Sequence, residues 1–176
     1  MEDATKLDNY SYEEYLDIAN NTKDRVELIF GKIYIMAGAS ALHQDIVGNI
    51  FFNIKSKNNE NCKPRVAPYD IKLKINNSIN IVQPDVMIFC NKQEIPCAIF
   101  EVLSPSTALK DKTVKKELYQ LAKVQEYFLI NAEYDIIEKF ELINDKYELA
   151  GVYGKDDKIE IKCIHEEIET KDIFEV

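Results

Sequence analysis

The run Ala98-Ile99-Phe100-Glu101-Val102-Leu103 sets one carboxylate inside an otherwise apolar segment. Successive side chains of a strand point to opposite faces, so Ile99 and Leu103 share a face with Glu101, while Ala98, Phe100 and Val102 take the other. A strand apolar on both faces is central and covered on both sides, which demands a layered fold with a sheet between packed elements. An ionised carboxylate there costs several kcal/mol unless a cation, a lysine or good hydrogen bonds compensate it. The chain must fold so that something answers Glu101.

The same anomaly recurs in residues 79–89, Ile-Asn-Ile-Val-Gln-Pro-Asp-Val-Met-Ile-Phe. Asp85 is flanked on its own face by Gln83 and Met87. Pro84 before it marks a strand entry or bulge, since proline cannot donate to a sheet ladder. Two acids on adjacent central strands repel, so either one is protonated or a divalent cation lies between them. A cation accounts for both; the alternative is that Glu101 sits at a sheet edge or pairs with a buried lysine.

A helix read over 107–124 offers that lysine. At about 100° per residue, Val114, Leu118, Leu121 and Ala122 form its core stripe, Asp111, Lys115 and Tyr119 follow one border, and Lys112, Lys116 and Lys123 face solvent. Lys115 is therefore the lysine that leans toward the sheet, although Asp111 and Lys115 also fit a surface i, i+4 pair worth a few tenths of a kcal/mol. Glu27 lies in the earlier β run with Ile29 on its face and reads, taken alone, as a half-exposed strand position. His43 falls in the first turn of another helix, near the middle of its apolar stripe, as an inward-facing histidine. His165, beside Glu166 and Glu167, reads as exposed.

The remaining elements follow from local signals. Ser11 and Glu14 form a capping box for a first helix with Tyr12, Tyr15, Leu16 and Ala19 on its apolar side. Residues 25–37 read as two β runs joined at Gly31-Lys32. Apolar residues at three- and four-residue steps from Leu42 to Ile54 predict a helix over 40–57. Strands follow over 65–75, with a turn at Asn76-Asn77, and over 79–90 and 97–103. After the 107–124 helix come the strand Glu-Tyr-Phe-Leu-Ile-Asn and a β meander through Ile161, with turns at Asn144-Asp145 and Asp156-Asp157. This order predicts an α/β fold, a mixed sheet with helices on its faces, rather than a doubly wound nucleotide binder.

Composition removes several functions. A length of 176 residues without repeats or Pro/Gly-rich linkers predicts one domain over 1–176. The formal charge of −9 argues against coating nucleic acid by bulk electrostatics. The basic residues include only two arginines, Arg25 and Arg65, a poor supply for bidentate guanine readout. Two histidines do not make a multi-histidine metal site. The four cysteines form no C-x-x-C pair and read as reduced thiols rather than a zinc set. The opening stretch is acidic and polar, unlike a signal peptide, and no apolar run approaches the ~18 to 20 residues of a membrane span, so a soluble cytoplasmic protein is expected. Phosphate-loop, dinucleotide, zincin and serine-hydrolase motifs are absent from the sequence.

Four segments together resemble the Uma-two family of restriction-endonuclease-like proteins, within the PD-(D/E)XK nuclease superfamily. They are Val-Glu-Leu-Ile-Phe-Gly-Lys-Ile-Tyr-Ile-Met-Ala (26–37), Gln-Pro-Asp-Val-Met-Ile-Phe (83–89), Ile-Phe-Glu-Val-Leu-Ser-Pro-Ser-Thr (99–107) and the D-x-x-x-K-x-x-x-Y of Asp111, Lys115 and Tyr119. The resemblance implies a restriction-endonuclease-like α+β core, a mixed central sheet flanked by helices, with a C-terminal β meander. It implies a metal-dependent endonuclease acting on DNA, with Asp85 and Glu101 as paired metal-binding acids, Glu27 as an additional catalytic or metal-binding acid, and the carbonyl of Val102 as a further ligand. The superfamily's E-x-K lysine is missing, because Leu103 stands there, and the Uma-two pattern takes its lysine from the following helix, at Lys115. Hard oxygen ligands favour Mg²⁺ or Mn²⁺ over zinc. Double-strand cleavage calls for two active sites, so a homodimer is the assembly that goes with it. The rival expectation is a non-catalytic interaction or nucleic-acid-binding module on the same fold.

Overall fold

The computed structural model describes residues 9–57 and 60–176, and most of the polar opening stretch read above, residues 1–8, lies outside that range. Helix α1 (Tyr12–Asn21) leads into a hairpin, β1 (Val26–Ile29) and β2 (Lys32–Ile35), and then helix α2 (Ala41–Ser56). The capping box forms: the Ser11 hydroxyl accepts from the Glu14 amide at 3.2 Å, and the Glu14 carboxylate accepts from the Ser11 amide at 2.8 Å. Ser40 caps α2 in the same manner, accepting from the His43 amide at 3.2 Å. The hairpin turns at Phe30-Gly31, one residue before the expected position, because both turn residues adopt positive φ (49° and 77°) and Lys32 already pairs with Ile29.

Strands β3 (Cys62–Val66), β4 (Ile71–Ile75), β5 (Ser78–Val82), β6 (Val86–Cys90) and β7 (Ala98–Val102) follow. The run expected as one strand over 79–90 is two. Val82 ends β5 in one sheet, Val86 begins β6 in another, and Gln83-Pro84-Asp85 carries the chain between them. Pro84 has no N–H to continue either ladder, which is where the sheets part. Helical residues then run through α3 (Ala108–Lys110), a π-helical turn (Asp111–Lys115) and α4 (Lys116–Leu121). The chain finishes with β8 (Glu126–Asn131), β9 (Ile136–Ile143), β10 (Lys146–Tyr153), β11 (Lys158–Ile161), a 3-10 turn (Lys162–Ile164), β12 (Glu166–Glu169) and α5 (Thr170–Phe174). The last strand and helix extend beyond the expected meander.

The larger sheet has the order β10-β9-β8-β7-β6-β3 and is mixed, since β7 and β8 run parallel while the other neighbours are antiparallel. The parallel pair needs a crossover, which α3, the π turn and α4 supply. One face of this sheet packs Val86, Ile88, Phe100 and Phe128 against Ile46 and Ile50 of α2 and Ile173 of α5. The other packs Met87, Ile99 and Tyr127 against Leu118 and Tyr119 of α4 and against Ile29, Leu73 and Val82 of the smaller sheet, β2-β1-β5-β4. The architecture is the expected mixed sheet flanked by helices, with β11 and β12 as a small C-terminal pair. Among the described residues, no helix is long and apolar enough to cross a membrane.

The cysteines depart from the reading of reduced thiols. All four meet at one end of the larger sheet, joined as the disulfides Cys62–Cys90 and Cys97–Cys163. Sequence spacing could not show this, because the pairing comes from cross-strand register and from the 3-10 turn folding back.

Buried Asn80 ties the smaller sheet together. Its Oδ1 accepts from the Phe30 amide at 2.7 Å and its Nδ2 donates to the Leu73 carbonyl at 3.2 Å. Asn80→Ala leaves both backbone groups unpaired and lowers stability by about 1–3 kcal/mol, read by urea unfolding with an unchanged m-value.

Candidate active site

The larger sheet brings Asp85 and Glu101 side by side. Val86 pairs with Phe100, so Asp85, just before β6, lies next to Glu101, fourth in β7. The β6 ladder stops there, and the Asp85 side chain takes over: its Oδ2 accepts from the Val102 amide at 2.8 Å. His43, on the first turn of α2, places Nε2 3.2 Å from the same oxygen. The inward-facing histidine is thus in place, and its partner is Asp85.

Glu101 is buried, and its Oε1 accepts from Lys115 Nζ at 2.9 Å and from the Tyr119 hydroxyl at 2.8 Å. Lys115 also reaches Glu27 Oε1 at 3.1 Å and lies 3.7 Å from Asp111 Oδ1. The sequence offered either a metal or a buried lysine as the answer to Glu101; in the folded chain the lysine is present. Glu27 is fully buried, not half-exposed as its strand position read alone. The smaller sheet covers what alternation along one strand marks as an open face. Both Glu27 oxygens are taken, Oε1 by the Gln83 amide at 3.0 Å as well as Lys115, and Oε2 by Lys110 at 2.7 Å.

The π turn corrects the helical reading. Asp111, Lys115 and Tyr119 are not a border but as deeply buried as the apolar stripe, 2%, 3% and 0% exposed, whereas Leu121, assigned to the core, is 42% exposed. A π turn takes an extra residue per turn and so rotates the following face, which a constant 100° step does not register. Lys110, Gln83 and the Tyr119 hydroxyl are partners that the sequence did not single out. Tyr119 stood in the D-x-x-x-K-x-x-x-Y pattern as a signal without a role, and nothing local distinguishes Lys110 from its solvated neighbours.

A cleft of about 1130 Å³ opens over this cluster, lined among others by Arg25, His43, Asp85, Glu101, Asp111 and Lys112. Glu27 lies behind it. The hydrogen bonds to Asp85 and Glu101 fall on one oxygen each, which leaves Asp85 Oδ1 and Glu101 Oε2 without one among the described residues. Buried Asp111 Oδ1 and His43 Nδ1 have no hydrogen-bond partner either.

Burial dominates the electrostatics. It pushes the Glu101 carboxyl up to about 8, reinforced by Asp111, Asp85 and Glu27 and opposed by Lys115. Burial also acts to raise Glu27, but Lys115, Lys110 and the Gln83 amide hold it below the usual carboxylate range. Asp111 is raised by burial against the pull of Lys115. Burial would lower Lys115, and the charges of Glu101, Glu27 and Asp111 more than reverse that, so it remains an ammonium. The hydrogen bond to Asp85 raises His43.

The sequence profile of the Uma2 family, described as "Putative restriction endonuclease", matches residues 12–171. The chain belongs to the Uma-two family. Two relatives from Synechocystis sp., both described as uncharacterized proteins, are 30% identical over 166 residues (88% of this chain, 85% of the relative) and 29% identical over 159 residues (84% and 89%). A crystal structure from Anabaena variabilis ATCC 29413, described as a "putative nuclease belonging to DUF820", superposes with a TM-score of 0.75 at 17% identity and covers 94% of this chain and 97% of that one. The Uma-two chain therefore has a restriction-endonuclease-like fold, and its buried acids sit where two sheets of that fold meet.

Glu101 generates a pH dependence. Its folded value, about 8, lies above its ordinary 4.5, so the stability this group contributes is full below the lower value and is lost as pH rises through the higher one. In chelator-containing buffer, wild type should lose stability relative to Glu101→Gln across that window, measured by urea unfolding at stepped pH. Parallel profiles would show that burial does not hold the proton on Glu101.

Proposed function

We propose that this Uma-two protein hydrolyses phosphodiester bonds in DNA at the centre formed by Asp85, Glu101 and Lys115, with Mg²⁺ or Mn²⁺ as its cofactor. The observation that carries this reading is the charge balance of the buried cluster. Four carboxylates, Glu27, Asp85, Glu101 and Asp111, face two ammonium groups, Lys110 and Lys115. With Glu101 and Asp111 giving up their protons to the ion and His43 neutral, a divalent cation would bring that cluster to neutrality. The oxygens without hydrogen bonds, Asp85 Oδ1, Glu101 Oε2 and Asp111 Oδ1, are the hard donors that suit Mg²⁺ or Mn²⁺. When bound, such an ion supplies a water acidified toward neutral pH and positive charge beside the phosphoryl oxygen.

The chain's own residues divide the remaining work. The Val102 amide and His43 fix Asp85 by one oxygen, so its other oxygen is presented in a set direction. Lys115 and Tyr119 do the same for Glu101. Lys115 stays protonated in its acidic surroundings, and so it acts by donating hydrogen bonds to the attacking water or to the charge developing on phosphate, not as a base. Glu27, both oxygens occupied, positions Lys110 and Lys115 rather than reaching into the cleft. Arg25 and Lys112 line the cleft as cations for the flanking phosphates. Those contacts should make DNA binding fall as salt rises.

Nicking of supercoiled plasmid tests the reading. Wild type should nick with Mg²⁺ or Mn²⁺ and not with chelator, and Asp85→Asn or Glu101→Gln should abolish this while circular dichroism stays native. Lys115→Met should cost about 10²–10³-fold in rate, whereas Lys116→Met, whose ammonium lies 3.5 Å over the Phe140 ring away from the cleft, should stay near wild type. Full activity in both acid variants would sink the assignment, and equal losses in the two lysine variants would reduce Lys115 to general electrostatics.

A further inference from the structure

The four cysteines lie at the far end of the strands that present Asp85 and Glu101. Cys62 opens β3 and Cys90 closes β6, directly opposite each other in the antiparallel register. The Asn91 amide donates to the Asn61 carbonyl at 2.9 Å, which puts Cys62 and Cys90 at the non-hydrogen-bonded position where opposed side chains stand closest. Cys97 precedes β7, and its amide donates to the Ile88 carbonyl at 2.8 Å, extending the β6–β7 ladder. That brings the Cys97 sulfur to 3.4 Å from the sulfur of Cys90. Cys163 arrives on the 3-10 turn, which is anchored where the Lys162 and Cys163 amides donate to the buried Glu126 carboxylate at 3.0 and 2.9 Å.

Two independent staples would not need to touch, yet these do. The sulfurs of Cys90, Cys97 and Cys163 all lie within 4.8 Å of one another, with Cys62 attached to Cys90. A tetrahedral site with Zn–S bonds of about 2.3 Å holds its sulfurs about 3.8 Å apart. The sulfurs of Cys90 and Cys97, 3.4 Å apart, are already near that spacing, and the two bonded pairs, Cys62–Cys90 and Cys97–Cys163, would open to it once reduced by turning about Cα–Cβ. The surroundings suit a soft ion: Ile54, Ile88 and Ile164 make a dry shell. A cavity of about 30 Å³ beside Cys62 is bordered by Lys55 and Lys63, cations that offset the excess charge of four thiolates around one dication.

We propose that in the reduced protein Cys62, Cys90, Cys97 and Cys163 form a tetrahedral site for one divalent cation of the zinc class, separate from the carboxylate centre. Each disulfide takes two electrons and two protons from a dithiol, which itself closes to a disulfide. Ion binding then releases the four thiol protons to solvent. The ion would clasp the 3-10 turn to β3, β6 and β7, joining the C-terminal segment to the larger sheet at a point independent of the hydrolytic chemistry.

The test uses the whole chain, reduced with a dithiol that is then removed without air, and titrated with Co²⁺ as the probe. One Co²⁺ per chain should give thiolate-to-metal charge-transfer absorption and intense tetrahedral visible bands, both displaced by equimolar Zn²⁺ and both unchanged in Glu101→Gln. Cys97→Ser and Cys163→Ser should each shift the bands and weaken binding by about tenfold or more. Reduced, natively folded protein without thiolate bands overturns the proposal, as do bands that survive unaltered in both serine variants. Should the metal-free reduced chain fail to fold, native mass spectrometry of protein produced with zinc decides. One zinc with four protons displaced supports the site; a zinc-free chain four hydrogens lighter than its reduced form is a pair of disulfides and overturns it.

Discussion

The arrangement of the whole molecule hangs on one ammonium group. Lys115 is buried at the foot of the cleft, within ion-pair distance of Glu101, Glu27 and Asp111. Removing any partner from such a set leaves a buried charge unanswered, a loss of about 3–5 kcal/mol for a single broken pair. Glu101 comes from the larger sheet, Glu27 from the smaller and Lys115 from the crossover that joins β7 to β8, so the ionic cluster fixes three elements relative to one another. A buried ion pair is weak evidence of net stability. Its effect here is to admit one relative placement of these elements, the one that sets Asp85 beside Glu101 under the cleft.

Asp85 belongs both to the framework and to the proposed centre. Its side chain completes the β6–β7 ladder by accepting from the Val102 amide in place of a backbone carbonyl. One oxygen of the carboxylate is therefore structural, while the other stays free. The three-residue link Gln83-Pro84-Asp85 serves both sheets in the same way, since the Gln83 amide holds Glu27 and the Ala67 amide donates to the Asp85 carbonyl at 3.1 Å.

Much of this was legible in the sequence. The strand around Glu101 betrays itself by being apolar on both faces, and Pro84 marks Asp85 as the start of something new. Helical spacing found Lys115, but as a border residue, because the π turn that buries it leaves no pattern a fixed angular step can detect. Glu27 was read as half-exposed because alternation describes one strand and its own sheet, and says nothing of a second sheet laid over it. The cysteines were opaque for a related reason: their meeting depends on strand register and on a turn from the far end of the chain. In each case the sequence carried what neighbours along the chain decide and lost what distant segments decide.

The burial of the Lys115 cluster also divides how the protein responds to ionic strength. Mobile ions screen exposed charges over roughly 8 Å at physiological salt but hardly enter a dry interior. Arg25 and Lys112 on the cleft wall belong to the first regime, while Lys115 and Glu27, at 3% and 0% exposure, belong to the second. Salt would therefore weaken the hold on the polyanion proposed for the cleft while the set of charges beneath it stays as it is.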